Sequence, residues 1–123
     1  LSGVAFICVI DDDSSVRKAL LNLIESMEFK GCGHRSAEDA LGCGDAEAAA
    51  CILTDIHMPG LDGFALKRAL DERGCVTPII MMSGRDDVLL ERRAQEAGAI
   101  CFLRKPLHAE ALARCLTHAV GNH

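Results

Sequence analysis

Leu53-Thr54-Asp55-Ile56-His57-Met58-Pro59-Gly60-Leu61-Asp62-Gly63 is the stretch on which the reading of this chain turns. It leaves an unbroken apolar run, Ala49 to Thr54, through the carboxylate of Asp55. It leads into a helical pattern, Phe64 to Arg73, closed by Gly74. A short continuous apolar run is what a strand buried on both faces looks like. A glycine just past a helical pattern is a common stop signal. The stretch is therefore a strand, a loop and a helix, with a carboxylate at the C-terminal end of the strand.

The same unit recurs on both sides of it. Val4 to Ile10 is an apolar run that ends in Asp11-Asp12-Asp13; Pro78 to Met82 ends in Ser83; Ile100 to Leu103 ends before Arg104-Lys105-Pro106. Helical patterns lie between the runs. Val16, Leu20, Leu23, Ile24 and Met27 share one helix face, with Ser14 or Asp13 available as the N-cap. Ser36-Ala37-Glu38-Asp39 has a capping-box pattern and opens a short second helix. A fourth helix runs from Asp86 or Asp87 to Ala97 and closes at Gly98. A fifth runs from His108 to Val120, with Leu112, Cys115, Leu116, Ala119 and Val120 on one side. Lys30 to Arg35 is weakly written as a strand because it carries Gly31 and Gly33, and an edge position would tolerate it. The alanine-rich stretch Asp45 to Ala50 reads as a loop leading into the third strand. Five strands alternating with five helices argue an α/β fold, a parallel sheet with helices on both faces. Ligands of such sheets sit beyond the C-terminal strand ends, where the strand order reverses.

The whole-chain numbers agree with one such domain. The chain has 123 residues, half of them hydrophobic and a quarter charged, which excludes a disordered chain. No apolar run approaches the ~20 residues that span a bilayer. Lys plus Arg is 13 against 18 Asp plus Glu, a formal charge of −5, so direct contact with a nucleic-acid backbone is not expected. No basic start followed by a long apolar core marks a signal peptide. The chain opens on Leu1 rather than Met and closes on Gly121-Asn122-His123, which read as a cut start and a trimmed linker. Seven cysteines, an odd count without C-x-x-C spacing, argue against a disulfide framework and for a reducing cytoplasm. The sequence shows no clustering of Cys and His that would suggest zinc. Cys8, Cys51 and Cys101 sit inside apolar runs as small hydrophobes, and a redox-sensing role for one cysteine stays open.

The polar residues at the strand ends form one constellation. Asp11, Asp12 and Asp13 follow the first strand; Asp55 ends the third, Ser83 the fourth and Lys105 the fifth. Carboxylates brought together there repel one another without a cation, and a hard divalent ion such as Mg²⁺ relieves that. A Lys ammonium supplies a compact opposing charge, and a hydroxyl can hydrogen-bond an incoming oxyanion. The group suits phosphoryl transfer, with a carboxylate attacking in line.

On Val9-Ile10-Asp11-Asp12-Asp13, the stretch from Leu53 to Gly63, Met82-Ser83-Gly84 and Phe102-Leu103-Arg104-Lys105-Pro106, the chain resembles the receiver domains of two-component response regulators over essentially its full length. Ser36 to Leu41 and Met82 to Asp87 resemble the nitrogen-fixation regulator (FixJ-type) branch. The resemblance implies a flavodoxin-like doubly wound (βα)5 fold, strand order 2-1-3-4-5, as a single receiver domain over residues 1–123. It implies that Asp55 is the phosphoacceptor, with Asp11, Asp12, Asp55 and the backbone carbonyl of His57 holding Mg²⁺. Asp13 would lie outside that set. Lys105 and Ser83 would contact the phosphoryl group, Phe102 would be the switch aromatic, and Pro106 would follow a cis peptide bond. His57 and Arg85 would tune the lifetime of the phosphorylated state. The implied partner is a sensor histidine kinase. The face of the fourth helix, fifth strand and fifth helix would serve a phosphorylation-dependent homodimer or an output domain, with Glu91, Arg92, Arg93, His108, Glu110, Arg114 and His118 on it. Such a domain is not an enzyme beyond its own phosphorylation and dephosphorylation. The chain would be the N-terminal part of a longer transcription regulator whose output domain is absent here. Two alternatives are a stand-alone or kinase-fused receiver, and a haloacid-dehalogenase-type phosphatase with Asp11 as nucleophile. A receiver that has lost its chemistry would lack the acidic pair, the acceptor or the lysine, and all are present.

Overall fold

A computed structural model describes residues 5–121. The elements follow as β1 (Phe6–Ile10), α1 (Ser14–Ser26), β2 (Lys30–His34), α2 (Ala37–Gly42), α3 (Asp45–Ala48), β3 (Cys51–Asp55), α4 (Gly63–Glu72), β4 (Ile79–Ser83), α5 (Val88–Ala97), β5 (Cys101–Arg104) and α6 (Ala109–Gly121). The strands pair in parallel in the order β2-β1-β3-β4-β5. This is the flavodoxin-like doubly wound architecture, and β2 takes the expected edge.

Alternation along buried strands divides the core in two. Cys8, Ile10, Ile52, Ile79 and Met81 face one side, with Ala37, Ala40, Leu66, Leu70, Leu90 and Ala94 from α2, α4 and α5. Ile7, Val9, Leu53, Ile80 and Met82 face the other, with Leu20 and Ile24 of α1 and Leu112, Leu116 and Ala119 of α6. Local signals set the helix ends. Asp13 caps α1 by accepting from Ser15 and Val16, Ser36 caps α2 through the Asp39 N–H, and Asp87 caps α5 through Leu89. Gly98 closes α5 in the left-handed region, which a glycine enters without steric cost.

Three expectations need correction. Asp45–Ala48 is a helical turn rather than a loop, so the fold has six helices among the described residues. Its Ala46 is fully buried, which gives the turn an anchor that its length alone does not supply. The proposed output face is accordingly α5–β5–α6. Second, β5 is not buried on both faces: Cys101, Phe102 and Leu103 are half-buried and Arg104 is exposed, because an edge strand has a neighbour on one side only. Third, β5 ends at Arg104, so Lys105 lies just beyond its strand rather than ending it, while Asp55 and Ser83 end β3 and β4 as expected. Val4, Leu1, Asn122 and His123 lie outside the described residues, and Gly121 is the final residue of α6. No described helix is long and apolar enough to cross a membrane.

Candidate functional site

The strand order reverses at β1, which has β2 on one side and β3 on the other. The C-terminal ends of β1 and β3 therefore open onto a shared crevice. Asp11 follows β1 and is fully buried; Asp55 ends β3 and is buried; Asp12 is exposed beside them. The three can place carboxylate oxygens within 4.8 Å of one another. Lys105 reaches in from beyond β5, its Nζ 2.8 Å from Asp11 Oδ2 and 3.4 Å from Asp55 Oδ2.

The electrostatics follow from this packing. Burial pushes the Asp55 carboxyl above its usual range, and the nearby Asp11 carboxylate adds to it; Lys105 pulls in the other direction. Burial works to lower the Lys105 ammonium, but its contacts with Asp11 and Asp55 outweigh that and hold it above its ordinary value. One cation among three acidic groups leaves net negative charge. Oxygen-only donors in that arrangement fit a hard divalent cation such as Mg²⁺.

Neighbouring groups hold the carboxylates still. The Asp11 backbone is tied by its N–H to the His34 carbonyl at 3.1 Å, and its carbonyl accepts from Arg17 Nη1 at 2.7 Å. Asp11 Oδ1 accepts from the Asp13 N–H at 2.9 Å. The carboxylate of Asp13 itself turns away to cap α1. Thr54 Oγ1 donates to the Asp55 carbonyl at 3.0 Å. After Asp55 the chain is fastened at both ends of its loop: Glu38 of α2 accepts the Leu61 N–H, and Gly63 N–H returns to the Ile56 carbonyl. Gly63 is required by close packing, because a Cβ there would stand 3.1 Å from the Asp55 carbonyl oxygen and from Ile56 Cα.

Ser83 ends β4 fully buried, its Oγ accepting from the Arg85 N–H at 3.0 Å. The Lys105 N–H donates to the Ser83 carbonyl at 2.8 Å, so β4 sets where Lys105 starts. The Lys105–Pro106 peptide is cis. Phe102 lies on β5 opposite Met81, half-buried, with the Arg104 guanidinium 5.4 Å from its ring centroid. His57 and Arg85 line a small cleft with Met58, Pro59 and Asp62. His57 Nε2 is buried there without a hydrogen-bond partner among the described residues.

The structure thus gathers Asp11, Asp12, Asp55 and Lys105, seats Ser83 on the adjoining strand end, and sets Phe102 apart on the edge strand. Sequence reasoning overlooked Thr54, Glu38 and the cap of α4, Asp62, which accepts from Ala65 N–H at 2.8 Å. The Asp62-Gly63-Phe64 start carried a readable cap signal; nothing local marked Glu38.

The model of the response regulator receiver domain family matches residues 7–117. The transcriptional regulatory protein FixJ of Azorhizobium caulinodans is 38% identical over 113 residues, 92% of this chain and 54% of that protein. The C4-dicarboxylate transport transcriptional regulatory protein DctD of Rhizobium meliloti is 33% identical over 119 residues, 97% of this chain and 26% of that protein. The chain thus spans about half or less of the length of these relatives. The crystal structure of FixJ-N superposes with a TM-score of 0.89 at 27% identity, covering 99% of this chain and 98% of that one. The carboxylates at the β1 and β3 ends, the lysine beyond β5 and the sheet that aligns them lie inside the matched span, and the chain belongs to the response regulator receiver domain family.

Proposed function

We propose that this domain is a phosphorylation-operated switch that takes a phosphoryl group from a histidine kinase onto Asp55. The observation that carries this reading is the buried Asp55 carboxylate, within ion-pair distance of Lys105 and beside Asp11 and Asp12. A carboxylate Oδ of Asp55 attacks phosphorus in line; the new O–P bond forms as the P–N bond to the kinase histidine breaks, and that electron pair stays on the imidazole. Lys105 neutralises charge on the phosphoryl oxygens. Ser83 Oγ uses one lone pair for the Arg85 N–H, which leaves its hydroxyl hydrogen free to donate to a phosphoryl oxygen. Asp11, Asp12, Asp55 and the His57 carbonyl would hold Mg²⁺, which supplies positive charge against the carboxylates and the transferred group. His57 and Arg85 border the approach of water and so set how long the acyl phosphate lasts.

The added charge of about −1.5 to −2 draws Ser83 toward the phosphoryl group, and Phe102 follows into the space released. The readout is the α5–β5–α6 face, where Val88 and Leu89 are exposed apolar residues beside Glu91 and Arg92; Arg93 turns instead toward α4, its guanidinium 4.3 Å from the Phe64 ring centroid. That face would pair with a second copy or an output domain. The domain is a single receiver over residues 1–123. Transcription control, any DNA contact and the cytoplasmic setting belong to the longer regulator of which it would form the N-terminal part.

The phosphatase reading, with Asp11 as nucleophile, is disfavoured because both Asp11 carboxylate oxygens are already engaged, by Asp13 N–H and by Lys105. Intact-mass spectrometry after incubation with a small phosphodonor and Mg²⁺ tests the choice. One phosphoryl adduct, lost with EDTA and in Asp55→Asn, supports the receiver mechanism. An adduct that survives in Asp55→Asn but disappears in Asp11→Asn overturns it.

A further inference from the structure

A second cluster of donor atoms lies outside the carboxylate site, on the edge strand. Cys32 and His34 are two apart on β2 and point to the same face, toward α2 and α3. The link between α2 and α3 is short: Cys43 is the C-cap of α2, Gly44 turns the chain at φ 86°, and Asp45 opens α3. That turn returns a thiol and a carboxylate to the imidazole. His34 Nε2 lies 2.9 Å from Asp45 Oδ2 and 3.7 Å from Cys43 Sγ, and Cys32 Sγ lies 3.6 Å from Asp45 Oδ2. His34, Cys43 and Asp45 bring one ligand atom each within 4.8 Å of one another, and Cys32 does the same with His34 and the buried Cys8.

Zn–S bonds of about 2.3 Å and Zn–N or Zn–O bonds of about 2.0–2.2 Å give tetrahedral edges of roughly 3.3–3.6 Å between mixed donors. The sulfur-containing separations here, 3.6 and 3.7 Å, match those edges; the two triads share only His34, so Cys32 must close on the His34–Cys43–Asp45 group as the ion binds. The His34–Asp45 edge must open slightly from 2.9 Å. The donor set is two sulfurs, one imidazole and one carboxylate, the borderline-soft mixture that selects Zn²⁺ over Mg²⁺. All seven cysteines are free. Cys43 is exposed, which gives an ion a path in, and the buried Cys8 adjoins Cys32 on the neighbouring strand β1.

We propose that Cys32, His34, Cys43 and Asp45 form a tetrahedral site for Zn²⁺ or a similar thiophilic divalent cation, separate from the Mg²⁺ site. The two thiols release their protons to solvent as they bind, and no change of redox state is involved.

The full chain, kept reduced with a phosphine and stripped of metal, would be titrated with Co²⁺ and then Zn²⁺. The expected result is one equivalent of Co²⁺ with intense tetrahedral visible bands and a thiolate charge-transfer band, displaced by Zn²⁺. Cys43→Ser and His34→Ala should each weaken Zn²⁺ binding at least about tenfold, while Asp55→Asn leaves it unchanged. Circular dichroism of each variant confirms that it is folded; Cys43 is exposed, so its serine variant keeps the helix cap. Weak octahedral spectra would overturn the proposal, as would affinity unaffected in folded Cys43→Ser or a signal lost in Asp55→Asn instead.

Discussion

Two groups of ligand-type side chains stand side by side at the β1–β2 end of the sheet, and they are built on opposite principles. Asp11, Asp12 and Asp55 present oxygen only, on the ends of two interior strands. Cys32, His34, Cys43 and Asp45 present sulfur, nitrogen and oxygen, on an edge strand and a two-helix turn. A single hydrogen bond, Asp11 N–H to His34 carbonyl, joins their backbones. The interior group is short of positive charge and draws a lysine from the far edge of the sheet. The edge group satisfies itself through the His34–Asp45 pair and solvent. A like-charged cluster must be held by a rigid centre, because its members push apart. A mixed cluster can form wherever a turn brings it together.

The sharpest division of labour would appear in Asp55→Asn. That variant should lose the phosphoryl adduct completely in intact-mass spectrometry yet keep its thiophilic metal site, and loss of both together would break the distinction. Removing the borrowed charge comes next. Lys105→Ala should slow labelling by a small phosphodonor on the order of 10²-fold at fixed Mg²⁺, comparable to losing one preorganised stabiliser of a developing charge. Labelling at the wild-type rate would mean that the interior carboxylates do not depend on it. The rigidity of the centre is tested by Ile80→Ala. This fully buried β4 residue should cost about 2–5 kcal/mol in urea unfolding. Circular dichroism must follow that transition because the chain has no Trp or Tyr. At the edge, Gly31→Ala should cost no more than about 1–2 kcal/mol, since its Cβ would meet Leu21 Cδ2 at 2.9 Å, the tip of a half-buried side chain that can turn aside. The smallest effect is expected for Ser36→Ala, which removes the cap of α2 for about 1 kcal/mol by the same urea assay.

The same contrast explains what was legible in the sequence. Asp11, Asp55, Ser83 and Lys105 each follow or end an apolar run, so knowing the strands was enough to bring them to one edge. β2 was hard to read because Gly31 and Gly33, on the face toward α1, lie close under the Leu21 and Arg17 side chains, which a Cβ there would push aside. Its glycines record close packing, not poor strand character. α3 escaped because one helical turn has no periodicity to detect; its buried Ala46 is a tertiary fact. Positions 32, 34, 43 and 45 have no recognised ligand spacing. Only the alternation of β2 and the turn at Gly44 make them neighbours. Glu38 was likewise silent, because its partner Leu61 lies 23 residues away.

The Lys105–Asp11 ion pair closes across 94 residues of chain, which makes the carboxylate pocket a property of the finished sheet. A chain that has paired β1, β2 and β3 but not yet β5 displays its carboxylates without the ammonium that balances them. Such an intermediate would repel itself at the place where, on the proposed function, the phosphoryl group lands. On that reading, competence to accept the phosphoryl group would be coupled to completion of the sheet.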